Sequence, residues 1–176
     1  DTFVRRFEDE VAAGRPAQPV EALNFSVDGY DSLQVQELIR ARVLDFSPAE
    51  VVYVMCLNDF DFEDSAGQKH LYFRRPRSFL AMRLERLVRR LFRVEYHRYH
   101  FERTRDRVLQ GIAALRGELE QRGVPLRVAI VPVYFPEAPD FEAYPLADLH
   151  QEIASFLAEH GVACLDLLPD FRGQAG

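Results

Sequence analysis

Two short polar stretches carry the residue types that could do chemistry in this chain. They are residues 24–32 and residues 56–60, and each follows an apolar run that is predicted to be a strand. In a parallel sheet, the loops after the carboxyl ends of strands meet at one edge, where ligands bind. Taken singly, each stretch has an ordinary explanation, with Gly29 as a turn residue of positive φ and Asn58 and Asp59 as partners of loop amides. Only the two stretches together indicate a function.

The elements that must position these stretches alternate along the chain. Four apolar runs are predicted as strands, namely Val20–Phe25, Val51–Leu57, Val128–Val133 and Val162–Leu167. Their nearly continuous hydrophobicity is typical of parallel strands buried on both faces. Gly123 and Gly161 are predicted to end the helices that precede the last two strands.

Helical periodicity fills the segments between the predicted strands. Two helices are expected to begin at capping residues, Thr2 and Ser32. The others cover residues 78–122, as one bent helix or two, and about Leu146–Glu159. This alternation predicts an α/β/α sandwich with a parallel sheet, in a single domain that spans residues 1–176.

The two polar stretches together resemble two of the four sequence blocks of the SGNH (GDSL) hydrolase family of lipases and esterases. Asn24, followed five residues later by Gly29, matches the second block. Asn58-Asp59 at the end of the next strand is similar to the third block, Gly-x-Asn-Asp. The resemblance covers about residues 20–60 and implies a flavodoxin-like sheet with strand order 2-1-3-4-5. It also implies that Gly29 and Asn58 are oxyanion-hole donors and that Asp59 braces the loop of Asn58.

The implied chemistry is the cleavage of an ester or O-acyl bond in a small-molecule substrate. Negative charge develops on the carbonyl oxygen, and fixed donors aimed at that oxygen stabilise the transition state. A glycine allows close approach of its backbone N–H, and an asparagine amide supplies a second donor. This reaction needs a serine and a histidine but no metal or organic cofactor.

Two of the family's blocks are missing from the sequence. Gly29-Tyr30-Asp31-Ser32 differs from the nucleophile block Gly-Asp-Ser by the inserted Tyr30, so Ser32 is interpreted as a helix cap. None of the five histidines has an acidic residue three positions before it, as Asp-x-x-His requires, and Cys56 replaces the glycine of the third block. We therefore expect a domain truncated at both ends, without its first strand, that folds poorly and is inactive alone. The alternative is a non-catalytic domain of this family that binds carbohydrate or acyl groups.

Aromatic residues crowd the loops after the second and third strands. Phe60 and Tyr134 begin these groups, and both loops are expected to overhang the site. With Asn24 and Asp59, they are our candidate substrate-binding residues. They could wall an acyl or aromatic pocket. The alternative is that the aromatic side chains only pack the loops onto the domain.

Three charged groups have ordinary explanations that we favour over functional ones. The acidic residues between Asp59 and Asp64 are interpreted as a solvated loop rather than a Mg²⁺ or Ca²⁺ site. His97 and His100 lie three residues apart on a helix but lack a third ligand, so a surface pair is predicted rather than a metal site. The arginines of residues 83–93 alternate with leucines and favour a solvated helix face over a peripheral membrane contact.

Composition and charge exclude several classes of protein. The net charge is −6, although residues 74–107 hold 12 arginines against four acidic residues, and an acidic chain is not expected to bind nucleic acid. The apolar runs are too short to cross a bilayer, and no signal peptide opens the sequence, so the compartment stays unassigned. Cys56 and Cys164 are expected to be reduced, buried thiols, because a strand between them keeps them too far apart for a disulfide.

Overall fold

The computed structural model describes residues 3–14, 20–61, 78, 80, 83 and 92–173. The α-helices in these ranges are α1 Phe3–Gly14, α2 Ser32–Ala41, α3 Arg93–Glu120, α4 Ala147–Glu159 and α5 Leu168–Phe171. The strands are β1 Val51–Cys56, β2 Leu126–Val131 and β3 Ala163–Asp166. Two short 3₁₀ helices, η1 Val43–Phe46 and η2 Leu57–Phe60, flank β1.

The three strands form one parallel sheet with β2 in the centre. Val51 is aligned with Leu126, and Arg127 is aligned with Ala163, so all three strands end at the same edge. The chain is therefore an α/β protein with a parallel sheet, and three of the four predicted strands are confirmed. Gly123 and Gly161 have φ values of 71° and 68° after α3 and α4, as predicted for helix ends.

The core lies between one face of the sheet and the helices. α3 packs on β2 and α4 packs on β3, with α2 against α3. The inward side chains of the strands and the apolar stripes of these helices are fully or nearly fully buried, among them Tyr53, Met55, Val128, Ile130, Ile112, Leu115, Leu119, Ile153 and Leu157. Apolar burial of this kind is the main favourable free-energy contribution to folding.

The opposite face of the sheet is half-exposed, which corrects the prediction of strands buried on both faces. Val52 and Val54 of β1 retain 52% and 50% of their surface, and Leu165 of β3 retains 58%. Alternation along each strand sends these side chains away from the helices that form the core. The described residues therefore form two layers, the sheet and the helices on one of its faces. The nearly continuous apolar sequence of the strands did not indicate that helices cover only one face.

The predicted first strand, Val20–Phe25, is wrong. The segment contains no residue in a strand ladder, although Ala22 N–H donates to Glu8 of α1 at 2.6 Å and Phe25 packs its ring 5.2 Å from that of Phe46. A strand needs a neighbour for its backbone hydrogen bonds, and the described part of the chain places none beside this segment. Apolar composition alone could not show this.

The helices follow the predicted periodicity closely, with two qualifications. α1 and α4 match the predicted bounds, whereas the cap Thr2 lies outside the described residues. α3 is one 28-residue helix, and most of the preceding part of residues 78–122 is outside the described ranges. No helix among the described residues is long and apolar enough to cross a bilayer.

Candidate oxyanion site at the carboxyl edge of the sheet

The candidate site lies where the strands end. η2, which carries Asn58 and Asp59, begins directly after β1, and the loop that contains Tyr134 begins shortly after β2. The last residue of β1, Cys56, is aligned with Val131 at the end of β2. The loop after β1, with Asn58, and the loop after β2, with Tyr134, thus begin at neighbouring positions on the same edge of the sheet.

Gly29 lies in a tight turn before α2. Its φ is 78°, in the left-handed region, and Tyr30 N–H donates to the Val27 carbonyl at 3.3 Å. A Cβ at this position would meet no atom within 4 Å, so glycine is favoured by backbone conformation rather than by space.

The cap of α2 is Asp31 rather than Ser32, which corrects the predicted cap by one residue. Asp31 Oδ1 accepts from Gln34 N–H at 2.9 Å, and Gln34 Oε1 accepts from Asp31 N–H at 3.0 Å, which completes a capping box. Ser32 is the first helical residue and is fully buried, with its hydroxyl accepting from Gln36 at 3.2 Å. A fully buried hydroxyl cannot reach a substrate, so its interpretation as a structural residue stands.

Asn58 is exposed at the start of η2 and contacts the thiol of Cys56. The S–H group donates to Asn58 Oδ1, so the amide nitrogen, the group an oxyanion needs, is not engaged by the thiol. Burial and, to a lesser degree, the charge of Asp59 raise the pKa of Cys56 to about 12. The thiol therefore stays protonated and acts as a donor, not as a nucleophile.

Asp59 closes the same loop and is largely buried. Its Oδ2 accepts the Cys56 N–H at 3.1 Å, a contact of the kind expected from a bracing residue. Burial raises the pKa of Asp59 to about 6, against the lowering effect of the Cys56 N–H bond and of the nearby Tyr53 hydroxyl, and the charge of Asp31 adds to the rise. Asp31, beside the Gly29 turn, and Asp59, beside Asn58, are thus close enough for the charge of one to raise the pKa of the other.

Tyr53 of β1 lies between the segment that follows Gly29 and the loop that carries Asn58. Its hydroxyl is buried beside Ser32 and the Asp59 carboxylate, although it completes no hydrogen bond of good geometry to either. Burial, with the charge of Asp59, raises the pKa of Tyr53 well above its usual range, so the phenol stays neutral. The segments after Gly29 and after Asn58 therefore share one buried side chain.

The raised pKa of Asp59 predicts a pH-dependent stability. The folded protein binds this proton more tightly than the unfolded chain, so the stabilisation is complete below about pH 4 and is lost as pH rises through about 6. Asp59→Asn keeps an acceptor for Cys56 N–H but does not titrate. We expect the variant to gain about 2–3 kcal/mol relative to wild type between pH 4 and pH 7.5 in urea unfolding. A constant difference across that range would contradict the assignment.

The other candidate binding residues differ in accessibility. Phe60 is fully buried and packs its ring 4.9 Å from that of Phe101, so its expected role as a pocket wall is corrected to a core role. Its position on a 3₁₀ turn directs it under the loop rather than over it. Tyr134 is 54% exposed, with its ring 6.3 Å from that of Phe141. Tyr134 is therefore accessible to a ligand, and Phe60 is not.

Asn24 has a local partner and borders a cleft. Its Oδ1 accepts Ser26 N–H at 2.9 Å, a side-chain turn of the ordinary kind. The cleft has a volume of about 560 Å³ and lies between this segment and the end of α2 and η1, with walls that include Phe25, Val27, Leu38, Arg42 and Phe46. Asn24 thus borders a cleft whose lining includes neither Gly29 nor Asn58.

A histidine–aspartate pair lies at the same edge, and its spacing in the sequence does not match Asp-x-x-His. His150 Nδ1 of α4 lies 2.8 Å from Asp166 Oδ1 at the end of β3, and His150 Nε2 is 3.5 Å from the Tyr144 hydroxyl. That hydroxyl accepts Val133 N–H at 3.0 Å. Through its contacts with Asp166 and Tyr144, His150 links the loop after β2 to β3. Because His150 is fully buried, it cannot contact a substrate. The pair is separated by 16 residues, so only the burial of His150 on the apolar face of α4 could have suggested it.

His97 and His100 are buried, which corrects their prediction as a surface pair. His97 packs its ring 6.0 Å from that of Phe135, and His100 Nδ1 lies 3.3 Å from Asp61 Oδ1. Burial, followed by the charge of Arg93, lowers the pKa of His97 to about 4, so this histidine is neutral at pH 7. No cluster of metal-ligating side chains occurs among the described residues.

The remaining charged groups are described only in part. Asp59 and Asp61 are largely buried and hydrogen-bonded, contrary to the prediction of a solvated acidic loop, whereas the rest of that cluster lies outside the described residues. Most of the arginine-rich segment also lies outside them, and Arg93 places its guanidinium 5.5 Å from the Phe135 ring centre. Cys56 and Cys164 are free thiols on strands separated by β2, half-buried rather than buried.

Comparison with protein-family models, with curated proteins and with solved structures finds no match to this chain.

Proposed function

We propose that residues 1–176 form the oxyanion-hole part of a serine ester hydrolase of the SGNH type. The backbone N–H of Gly29 and the side-chain amide of Asn58 donate to the oxyanion that forms on an ester or O-acyl carbonyl of a small-molecule substrate. The nucleophilic serine and the base histidine come from sequence outside residues 1–176. The chemistry requires no cofactor.

The observation that carries this proposal is that one buried side chain, Tyr53, lies near both candidate segments. Ser32 follows Gly29 by three residues, Asp59 follows Asn58 directly, and the Tyr53 side chain lies beside both Ser32 and Asp59. The proposal is that this shared buried neighbour keeps the Gly29 and Asn58 donors at a constant distance from each other. Donors that are already in place need no reorganisation when charge develops, which is where most of their catalytic value arises.

The sheet supports a larger domain around this site. β1 is an edge of the described sheet, and the face with Val52, Val54 and Leu165 is half-exposed. The proposal assigns a further strand, which carries the nucleophile, to the edge of β1. It assigns a third, helical layer to the half-exposed face, which gives the three-layer sandwich with strand order 2-1-3-4-5.

The local nucleophile candidates support a serine from elsewhere. Cys56 is adjacent to Asn58 but is held in its thiol form by a pKa of about 12, and Ser32 has no exposed surface. His150, the histidine at this edge of the sheet with a carboxylate partner, is fully buried. Cys56, Ser32 and His150 thus supply neither an accessible nucleophile nor an accessible base.

Labelling of the natural full-length protein with a serine-directed fluorophosphonate tests the proposal. We expect one serine to be modified, at a position outside residues 1–176, and we expect hydrolysis of a short p-nitrophenyl ester to stop in parallel. Absence of labelling would overturn the enzyme proposal, whereas labelling of Ser32 would overturn the assignment of the nucleophile to sequence outside residues 1–176. In the first case the non-catalytic alternative, a domain that binds carbohydrate or acyl groups, would replace it.

A further inference from the structure

One face of α3 holds the end of η2 through three side chains spaced one turn apart. The Tyr96 hydroxyl donates to Asp61 Oδ2, and His100 Nδ1 lies 3.3 Å from Asp61 Oδ1. One turn further along, Thr104 Oγ1 lies 2.7 Å from the carbonyl oxygen of Phe60. Residues at four-residue spacing share one helix face, so a single surface of α3 makes all three contacts.

These contacts lie in a dry environment. Thr104, His100 and Phe60 are buried, and only 13% of the Asp61 side chain is exposed. The Thr104 hydroxyl is also 2.8 Å from the carbonyl of His100 in its own helix, so its single hydrogen is shared between the two acceptors. A buried hydrogen bond between distant segments restrains both of them more than an exposed one does.

The restraint acts on the loop that carries Asn58. η2 is only four residues long; its first residue follows β1, and Asp59 ties back to Cys56 N–H at 3.1 Å. At its other end, Asp61 N–H donates to the Asn58 carbonyl at 3.1 Å, so Asp61 and Asn58 are connected by one backbone hydrogen bond. A shift of Asp61 or of the Phe60 carbonyl therefore moves the backbone of Asn58.

We propose that Asp61 and Thr104 are positioning residues for the Asn58 amide, with Tyr96 hydrogen-bonded to Asp61 and His100 packed beside it. This inference rests on the proposed function, because it concerns the same oxyanion donor. In addition to its packing in the core, α3 then sets the position of the Asn58 amide, a donor that lies outside this helix. A donor is useful only where the oxyanion forms, so a small displacement lowers turnover more than substrate binding.

The test uses Thr104→Val in the natural full-length protein, which removes the hydroxyl but keeps the branched shape. We expect kcat for a p-nitrophenyl ester to fall on the order of 10-fold, with KM changed by less than about twofold. Thr104→Ser should restore most of the loss, because it returns the hydroxyl. Tyr96→Phe, which keeps the ring and loses the bond to Asp61, should reproduce the fall and carries the test if Thr104→Val does not fold.

The matched control is Ile112→Val, a small buried substitution on the same helix and away from η2. It should lower the melting temperature to a similar degree and leave kcat unchanged. Amide hydrogen exchange provides a second measurement, in which the Asp61 amide should exchange faster in Thr104→Val than in Ile112→Val. The inference is overturned if Thr104→Val and Tyr96→Phe lose no more turnover than the control, or if the loss is in KM. An inactive wild type would instead overturn the proposed function, and the inference with it.

Discussion

If the proposed function holds, replacement of Asn58 by alanine should lower the turnover of ester hydrolysis by about 10²–10³-fold, the usual cost of removing one oxyanion donor. Asn58 is exposed, and its amide nitrogen is not the atom that contacts the Cys56 thiol. The loss should appear in kcat with little change in KM, because the donor acts on charge that exists only in the transition state. Steady-state kinetics with a short p-nitrophenyl ester measures both parameters.

Two further variants separate a lost donor from a disturbed loop. Asn58→Asp keeps the size of the side chain but replaces the donor with an acceptor, so it should be at least as slow as Asn58→Ala. Gln151→Ala removes an exposed amide from α4 and should retain wild-type turnover. Wild-type turnover in Asn58→Ala would show that Asn58 takes no part in the reaction. It would also contradict the assignment of this site as an oxyanion hole.

The second large effect is expected at Phe60. Phe60→Ala should reduce the free energy of unfolding by about 3–5 kcal/mol, because it leaves a cavity where a fully buried ring packs against Phe101. Tyr134→Ala, at a half-exposed ring, should change stability by only about 0.5 kcal/mol. Urea unfolding monitored by circular dichroism measures both.

Measurement of KM then distinguishes a role of Phe60 in the core from a role in the wall of a substrate pocket. Phe60→Leu keeps most of the apolar volume and should leave KM for acyl esters at its wild-type value. Tyr134→Ala should raise KM if this exposed ring borders the acyl group, as the proposed function has it. A stable Phe60→Ala protein with a raised KM would return Phe60 to the list of binding residues.

Local patterns predicted most of the elements in the described chain. Apolar runs located β1, β2 and β3 to within two residues, and the periodicity of apolar residues located α1, α2 and α4. The turn at Gly29 was predictable for the same reason, since its φ of 78° is a local preference of glycine. These features depend on neighbours in sequence, so sequence contains the necessary information.

The cap of α2 shows how two local interactions compete. Ser32 and Asp31 are both suitable caps, and Gln34 decides between them, because it lies three residues after Asp31 and completes a capping box. The pattern Asp-x-x-Gln was present in the sequence and would have identified the cap. The capping box, and not the residue type alone, therefore determines which of the two residues is the cap.

The sequence by itself determined that helices alternate with parallel strands and that amide-bearing loops follow two of the apolar runs. Tertiary structure decided which side chains of those loops are accessible. Val20–Phe25 forms no ladder because a strand requires a partner. Phe60, His97 and His100 are buried because other segments cover them. His150 meets Asp166, and Thr104 meets Phe60, across 16 and 44 residues. Periodicity and turn preference act over a few residues, whereas burial and these contacts depend on segments that meet only after the chain has folded.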